Sequence, residues 1–182
     1  MSSLQNKFTT EIMANLKKEL GIKNSMAVPK LSRIAVNIGV KGALVDSKNI
    51  EKASAALAQI TGQKPKVTRA KKSIASFKLR EDDAVGVMVT LRGKRMYDFL
   101  EKITSIVLPR LRDFHGVDIN QFDSRGNYTL GFKEYTVFPE IDPGKIDKIQ
   151  GLEMTVVTTA KDKKEGIALL KALGMPFKIV QS

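Results

Sequence analysis

Val85, Val87, Val89 and Leu91 alternate with Gly86, Met88, Thr90 and Arg92. Side chains of a strand point to opposite faces in turn, so this two-residue period predicts a strand over 85–92 with one apolar face. Leu31–Val40 repeats the pattern: Ile34, Val36 and Ile38 share one face, and Arg33, Ala35 and Asn37 share the other. Any fold for this chain must bury one side of both segments and tolerate small and polar groups on the other.

Other segments carry a helical period. Leu4, Phe8, Ile12, Leu16 and Leu20 recur every fourth residue and predict an amphipathic helix that ends at Gly21. Ile50, Ala53, Leu57 and Ile60 predict a second, from about Lys48 to Thr61, with Gly62 as its stop. Met96, Phe99, Leu100, Ile103 and Val107 predict a third, broken at Pro109. Tyr128, Leu130 and Phe132 alternate after a Gly126-Asn127 turn, and Met154–Thr159 reads as a further strand. Asp162 with Glu165 forms a capping box for a last helix over Ile167–Leu173, stopped by Gly174 and Pro176.

This order lacks the glycine fingerprint of a doubly wound nucleotide fold. It predicts an α+β fold: a single, mainly antiparallel sheet with helices packed on one face and an open RNA-docking face. One domain is expected over 1–182, with a basic loop at about 63–83 within it. The open face would present Arg33, Asn37, Thr90 and Arg92, with Ala35 and Gly86 small enough for a large ligand to approach.

The net charge is +12, and residues 61–80 supply +7 of it with no acid. Those cations are Lys64, Lys66, Arg69, Lys71, Lys72, Lys78 and Arg80. A local cationic segment rich in Ser, Thr and Gln suits a phosphate backbone, where cations displace counterions and hydroxyls and amides bond phosphate and sugar. A solvated basic loop without a partner is the bland alternative. Val67, Ile74, Phe77 and Leu79 interrupt the charge, which predicts that parts of the segment pack.

Catalytic chemistry finds little support. The chain has one histidine, His115, and no cysteine, so a Ser-His-Asp triad would rest on that residue and a Cys-His pair is impossible. Glu81-Asp82-Asp83 reads as a solvated turn rather than a cation site, because adjacent acids point in different directions. Gly39-Val40-Lys41-Gly42 has the spacing of a KH-type RNA clamp but follows a strand, where a strand-exit turn serves as well. No enzyme activity, cofactor or metal is expected. No apolar run approaches the roughly 20 residues of a spanning helix, and no continuous apolar leader is visible. Membrane partnership is therefore not expected, and the absence of cysteine fits a reducing cytosol.

Seven collinear blocks then carry a resemblance. They are Pro29-Lys30-Leu31-Ser32-Arg33-Ile34-Ala35-Val36-Asn37-Ile38-Gly39; Ile60-Thr61-Gly62-Gln63-Lys64-Pro65, running on through Thr68-Arg69-Ala70-Lys71-Lys72-Ser73-Ile74; and Val89-Thr90-Leu91-Arg92-Gly93. Met96-Tyr97-Asp98-Phe99-Leu100, Leu108-Pro109-Arg110-Leu111-Arg112-Asp113-Phe114, Phe122-Asp123-Ser124-Arg125-Gly126-Asn127-Tyr128-Thr129-Leu130-Gly131 and Phe138-Pro139-Glu140-Ile141 follow. Together they resemble large-subunit ribosomal protein five, the 5S-rRNA-binding protein, in its bacterial form.

The resemblance implies a cytoplasmic, ribosomal protein of the central protuberance. Its implied partners are 5S rRNA, large-subunit rRNA, P-site tRNA and small-subunit ribosomal protein thirteen. Asn37, Gln63, Thr90 and Arg92 would dock 5S rRNA, the loop around Arg69–Arg80 would reach tRNA and rRNA, and residues about 110–115 and 134–144 would bridge to the small subunit. Two departures stand out: Val40-Lys41-Gly42 after Gly39 in place of a tighter glycine pattern, and His115 where the family carries arginine. A free-standing regulatory RNA-binding module is the competing reading, separable by co-sedimentation with large subunits.

Overall fold

The two alternating segments become strands β1 (Leu31–Gly39) and β3 (Ala84–Leu91) in a computed structural model that describes residues 3–40, 48–111, 114–142, 144 and 150–178. Ile34, Val36, Ile38, Val87 and Leu91 are fully buried. Strand β2 (Lys66–Arg69) pairs antiparallel with β3. Strands β4 (Tyr128–Phe132) and β5 (Leu152–Thr158) complete one antiparallel sheet in the order β2-β3-β1-β5-β4, so the fold is α+β as the sequence predicts.

The chain divides into two compact units, one of Met1–Ile34, Leu91–Leu130 and Thr155–Ser182, the other of Ala35–Thr90 and Gly131–Met154. In the first, α1 (Ser3–Lys7) and α2 (Met13–Glu19) are joined by a π-helical turn, Phe8–Ile12. The four-residue spacing accounts for that turn. An α-helix repeats every 3.6 residues, so residues four apart drift around it. One turn of i→i+5 bonding lengthens the local period and offsets the drift. Phe8 and Leu16 are buried, whereas Leu4, Ile12 and Leu20 are only half-buried. Met13 N–H closes the wide turn on Phe8 O, and the Thr9 and Thr10 hydroxyls each donate to Asn6 O at 2.9 Å.

A second π turn, Ile103–Val107, follows α4 (Gly93–Lys102), and the Thr104 hydroxyl again donates to carbonyls of the preceding turn, Leu100 O and Glu101 O. Helical structure then runs through a 3-10 turn at Leu108–Arg110, past the break expected at Pro109. Proline opens that short turn, where no intrahelical N–H bond is needed. Helix α5 (Lys163–Ala172) starts at its Asp162 cap, four residues ahead of the predicted span. Asp162 accepts from Glu165 N–H at 2.8 Å, and Glu165 accepts from Lys161 N–H at 2.8 Å. Its Gly166 lies against the Gly126 turn so closely that a Cβ there would meet Gly126 O at 2.6 Å.

In the second unit, α3 (Lys48–Thr61) buries all four predicted residues, Ile50, Ala53, Leu57 and Ile60, and ends at Gly62 with φ +66°. Burial of side chains such as Leu57 and Ile60 contributes about 1.5–3 kcal/mol each. Phe132 and Phe138 meet edge-on with ring centroids 5.5 Å apart. Of the Gly39–Gly42 turn, residues 41 and 42 lie outside the described residues.

Candidate nucleic-acid interface

The polar side of β3 is organised by pairing. Lys66 lies opposite Met88 and Thr68 opposite Gly86. Alternation puts Lys66 and Thr68 on one face of β2 and Met88 and Thr90 on the same face of β3. Asn37 takes the equivalent side of β1, half-buried between the fully buried Val36 and Ile38. Gln63 is tied to the end of β3 by a bond the sequence did not reveal. Its Nε2 donates to Thr90 O at 3.3 Å, and the Thr61 hydroxyl, donating to Leu57 O and Gln63 O, steadies the approach. Asn37, Gln63, Thr90, Lys64 and Lys66 thus belong to one unit, with Lys64 and Lys66 exposed.

Arg33 and Arg92 lie in the other unit, and both are exposed. Arg33 sits near the start of β1. Arg92 departs from expectation: β3 ends at Leu91, and Arg92 is the extended residue that precedes α4, just before Gly93 turns the chain at φ +56°. Gly86 also needs a correction. It is buried, and a Cβ there would sit 2.6 Å from Ile38 O and 3.2 Å from Thr68 Oγ1. Its smallness serves the approach of neighbouring backbone within the sheet, not of a ligand.

The basic segment is a β2–β3 hairpin with a long ordered loop. At its base Ala70 N–H donates to Asp83 O at 2.9 Å and Asp82 N–H to Ala70 O at 3.0 Å. Further out, Ile74 and Leu79 exchange bonds of 2.9 and 3.1 Å around a 3-10 turn, Ala75–Phe77. Asp83 accepts from Arg80 N–H at 2.7 Å, Ser73 Oγ accepts from Glu81 N–H at 2.9 Å, and Arg69 Nη1 donates to Asp82 O at 2.8 Å. The Asp83 carboxylate and the backbone groups of Glu81 and Asp82 thus help to close the loop. Lys71, Lys72, Lys78 and Arg80 all remain exposed. The expected packing of the apolar residues fails at the tip, where Phe77 is 71% and Ile74 42% exposed. Hydrogen bonds of the backbone, three of them made with the side chains of Arg69, Ser73 and Asp83, hold this loop in place of a local core, and two apolar side chains stand out among cations.

The arrangement provides amide and hydroxyl groups on a sheet face, cations beside them, and an apolar tip on a basic hairpin. It suits backbone and shape recognition of folded RNA, with a few polar groups for register. His115 is exposed in its loop. No helix among the described residues is long and apolar enough to cross a membrane.

Comparison with known proteins covers nearly the whole chain. The family model of ribosomal protein L5 matches residues 24–80, and the model of the C-terminus of the same ribosomal family matches residues 84–177. The large ribosomal subunit protein uL5 of Streptococcus pyogenes serotype M49 (strain NZ131) is 55% identical over 174 residues, which cover 96% of this chain and 97% of that protein. Proteins of the same name from Streptococcus agalactiae serotype Ia and Streptococcus thermophilus (strain CNRZ 1066) are 54% and 53% identical, over the same shares.

Proposed function

The chain belongs to the ribosomal protein L5 family, a structural and non-catalytic component of the large ribosomal subunit, and from that premise we propose that it binds 5S rRNA through the face of Asn37, Gln63 and Thr90. The observation that supports this reading is the Gln63–Thr90 bond, which ties residues 27 positions apart together at the end of β3. Asn37, Gln63 and Thr90 supply hydrogen bonds. Arg33, Arg92 and the Lys64–Arg80 cations supply most of the salt-dependent attraction. The protein then helps anchor 5S rRNA against large-subunit rRNA in the central protuberance of the cytoplasmic ribosome. The β2–β3 loop contacts P-site tRNA, and residues about 110–115 and 134–144 bridge to small-subunit ribosomal protein thirteen.

Thr90→Ala tests the docking face, and Arg92→Ala tests the exposed cation that precedes α4. Each should weaken binding to 5S rRNA about three- to tenfold, the size of one net hydrogen bond or charge contact, while far-UV circular dichroism stays unchanged. Undiminished affinity in Thr90→Ala would remove this face from the 5S contact, and undiminished affinity in Arg92→Ala would remove that cation from it.

A further inference from the structure

A second cationic surface is assembled from three distant segments. Lys30 N–H donates to Thr159 Oγ1 at 3.0 Å, and Thr159 N–H donates to Lys30 O at 2.9 Å. The turn that holds Arg125 rests on the same connection. A Cβ on Gly126 would lie 2.6 Å from Asp162 O and 2.8 Å from Ala160 Cβ, and the Thr158 hydroxyl donates to Gly126 O at 3.0 Å. Lys161, Lys163 and Lys164 occupy that connection and the first turn of α5. Lys30, Arg125, Lys161 and Lys164 are exposed and Lys163 is half-buried, all in one unit.

Three nearby carboxylates keep their charge, so five cations less three acids leave a local +2, but all three are held by bonds from neutral N–H groups. Asp123 accepts from Arg125 N–H, Asn127 N–H and Asn127 Nδ2 at 2.9, 2.8 and 2.7 Å. Asp162 and Glu165 accept backbone N–H groups and close the start of α5. The cation cluster, not the helix end, is the feature of interest.

We infer that these five cations form a second contact for the ribosomal RNA phosphate backbone, separate from the sheet face and the basic hairpin. Contact between the Gly126 and Gly166 backbones fixes Arg125 and Lys164 on adjoining elements. Their flexible stems then reach successive phosphates, which need charge and no base reading. The other common polyanion, a lipid surface, asks for apolar side chains beside the cations. Of the exposed large apolar side chains among the described residues, Ile74, Phe77 and Ile106 belong to other segments, and Met26, four residues before Lys30, stands alone beside the cations. The choice of RNA rests on the function proposed above.

The test is a charge-neutralised variant, Arg125→Gln/Lys161→Gln/Lys164→Gln, beside a control that removes three other exposed cations, Lys7→Gln/Lys18→Gln/Lys171→Gln. Each is titrated against folded 5S rRNA and against large-subunit rRNA across a salt series. Each lost phosphate contact lowers the slope of log affinity against log salt by about 0.9, the value for a B-form duplex. The patch variant should lose about two to three from the slope on at least one RNA and bind it at least about tenfold more weakly, and the control should lose clearly less. Unchanged slopes on both RNAs, or an equal loss in the control, would overturn the inference. Thermal unfolding checks the fold, and Lys161→Gln/Lys164→Gln serves if the Arg125 change lowers stability through its neighbour Asp123. The 5S reading fails by a different outcome, equal binding of the unaltered protein to 5S rRNA and an unrelated RNA. A slope loss alongside that outcome would still support the patch.

Discussion

Asp123 and Gly166 show how single residues hold the scaffold around the proposed RNA contacts. Partial burial pushes the Asp123 carboxyl upward, but bonds from the Asn127 side chain and from the Asn127 and Arg125 amides outweigh it and hold the pKa below the ordinary value. A carboxylate with a lowered folded pKa stabilises the protein above its unfolded pKa of about 3.9, and that contribution disappears as pH falls through the folded value. Asp123→Asn should therefore lower Tm most near neutral pH, with the gap to the parent closing as pH drops below about 4. A gap that stays constant with pH would mean the carboxylate charge is not what these bonds reward. Gly166→Ala tests close packing. Alanine in a helix gains about 0.5–1 kcal/mol over glycine, but here a Cβ would overlap Gly126 backbone, and overpacking costs about 1–3 kcal/mol. The variant should melt lower, by thermal scan. A higher Tm would show that α5 slides freely off the Gly126 turn. Gly86 teaches the complementary lesson about reading sequence. A small residue on a strand is visible in the chain, but whether it makes room for a ligand or for a neighbouring strand depends on pairing that the chain does not display.

Elements were legible where several local signals agreed. Helix α3 matched its predicted span because the apolar spacing, a run free of glycine and proline, and a terminal glycine all pointed to the same bounds. The first π turn, Phe8–Ile12, was foreshadowed by a spacing of four rather than 3.6, a hint that needs the structure to interpret, whereas the second, Ile103–Val107, followed an ordinary helical spacing. The β2–β3 loop was least legible. Its charge suggested RNA, yet its order comes from bonds between residues such as Ala70 and Asp83, and the exposure of Phe77 follows from a lack of neighbours that no pattern encodes. Hydrogen exchange on the free protein tests that order. Amides of Ala70, Ile74, Leu79 and Asp82, each bonded to a backbone carbonyl, should exchange markedly more slowly than those of Lys71 and Lys72. Uniform exchange at the unstructured rate across residues 70–83 would mean that RNA, not the chain, orders this loop.

At the scale of the whole molecule, family and α+β architecture were both legible in the sequence, the first from seven collinear blocks and the second from two periods. Strand order and the meeting of Gln63 with Thr90 were not, because both join residues far apart in the chain. The +12 charge was visible as a sum and as one run, but the cluster of Lys30, Arg125 and Lys161–Lys164 was dispersed over three segments, with Asp123 beside Arg125 and Asp162 and Glu165 among the lysines of the third. The central claim is that a specific polar face works together with a non-specific cationic background. The measurement that bears on it most directly is a titration of the purified protein against folded 5S rRNA and an unrelated folded RNA of equal length, across a salt series. The account predicts a preference for 5S rRNA that persists as salt rises, because hydrogen bonds and shape outlast counterion release. Equal affinities that collapse together with salt would contradict it and leave only the cations at work.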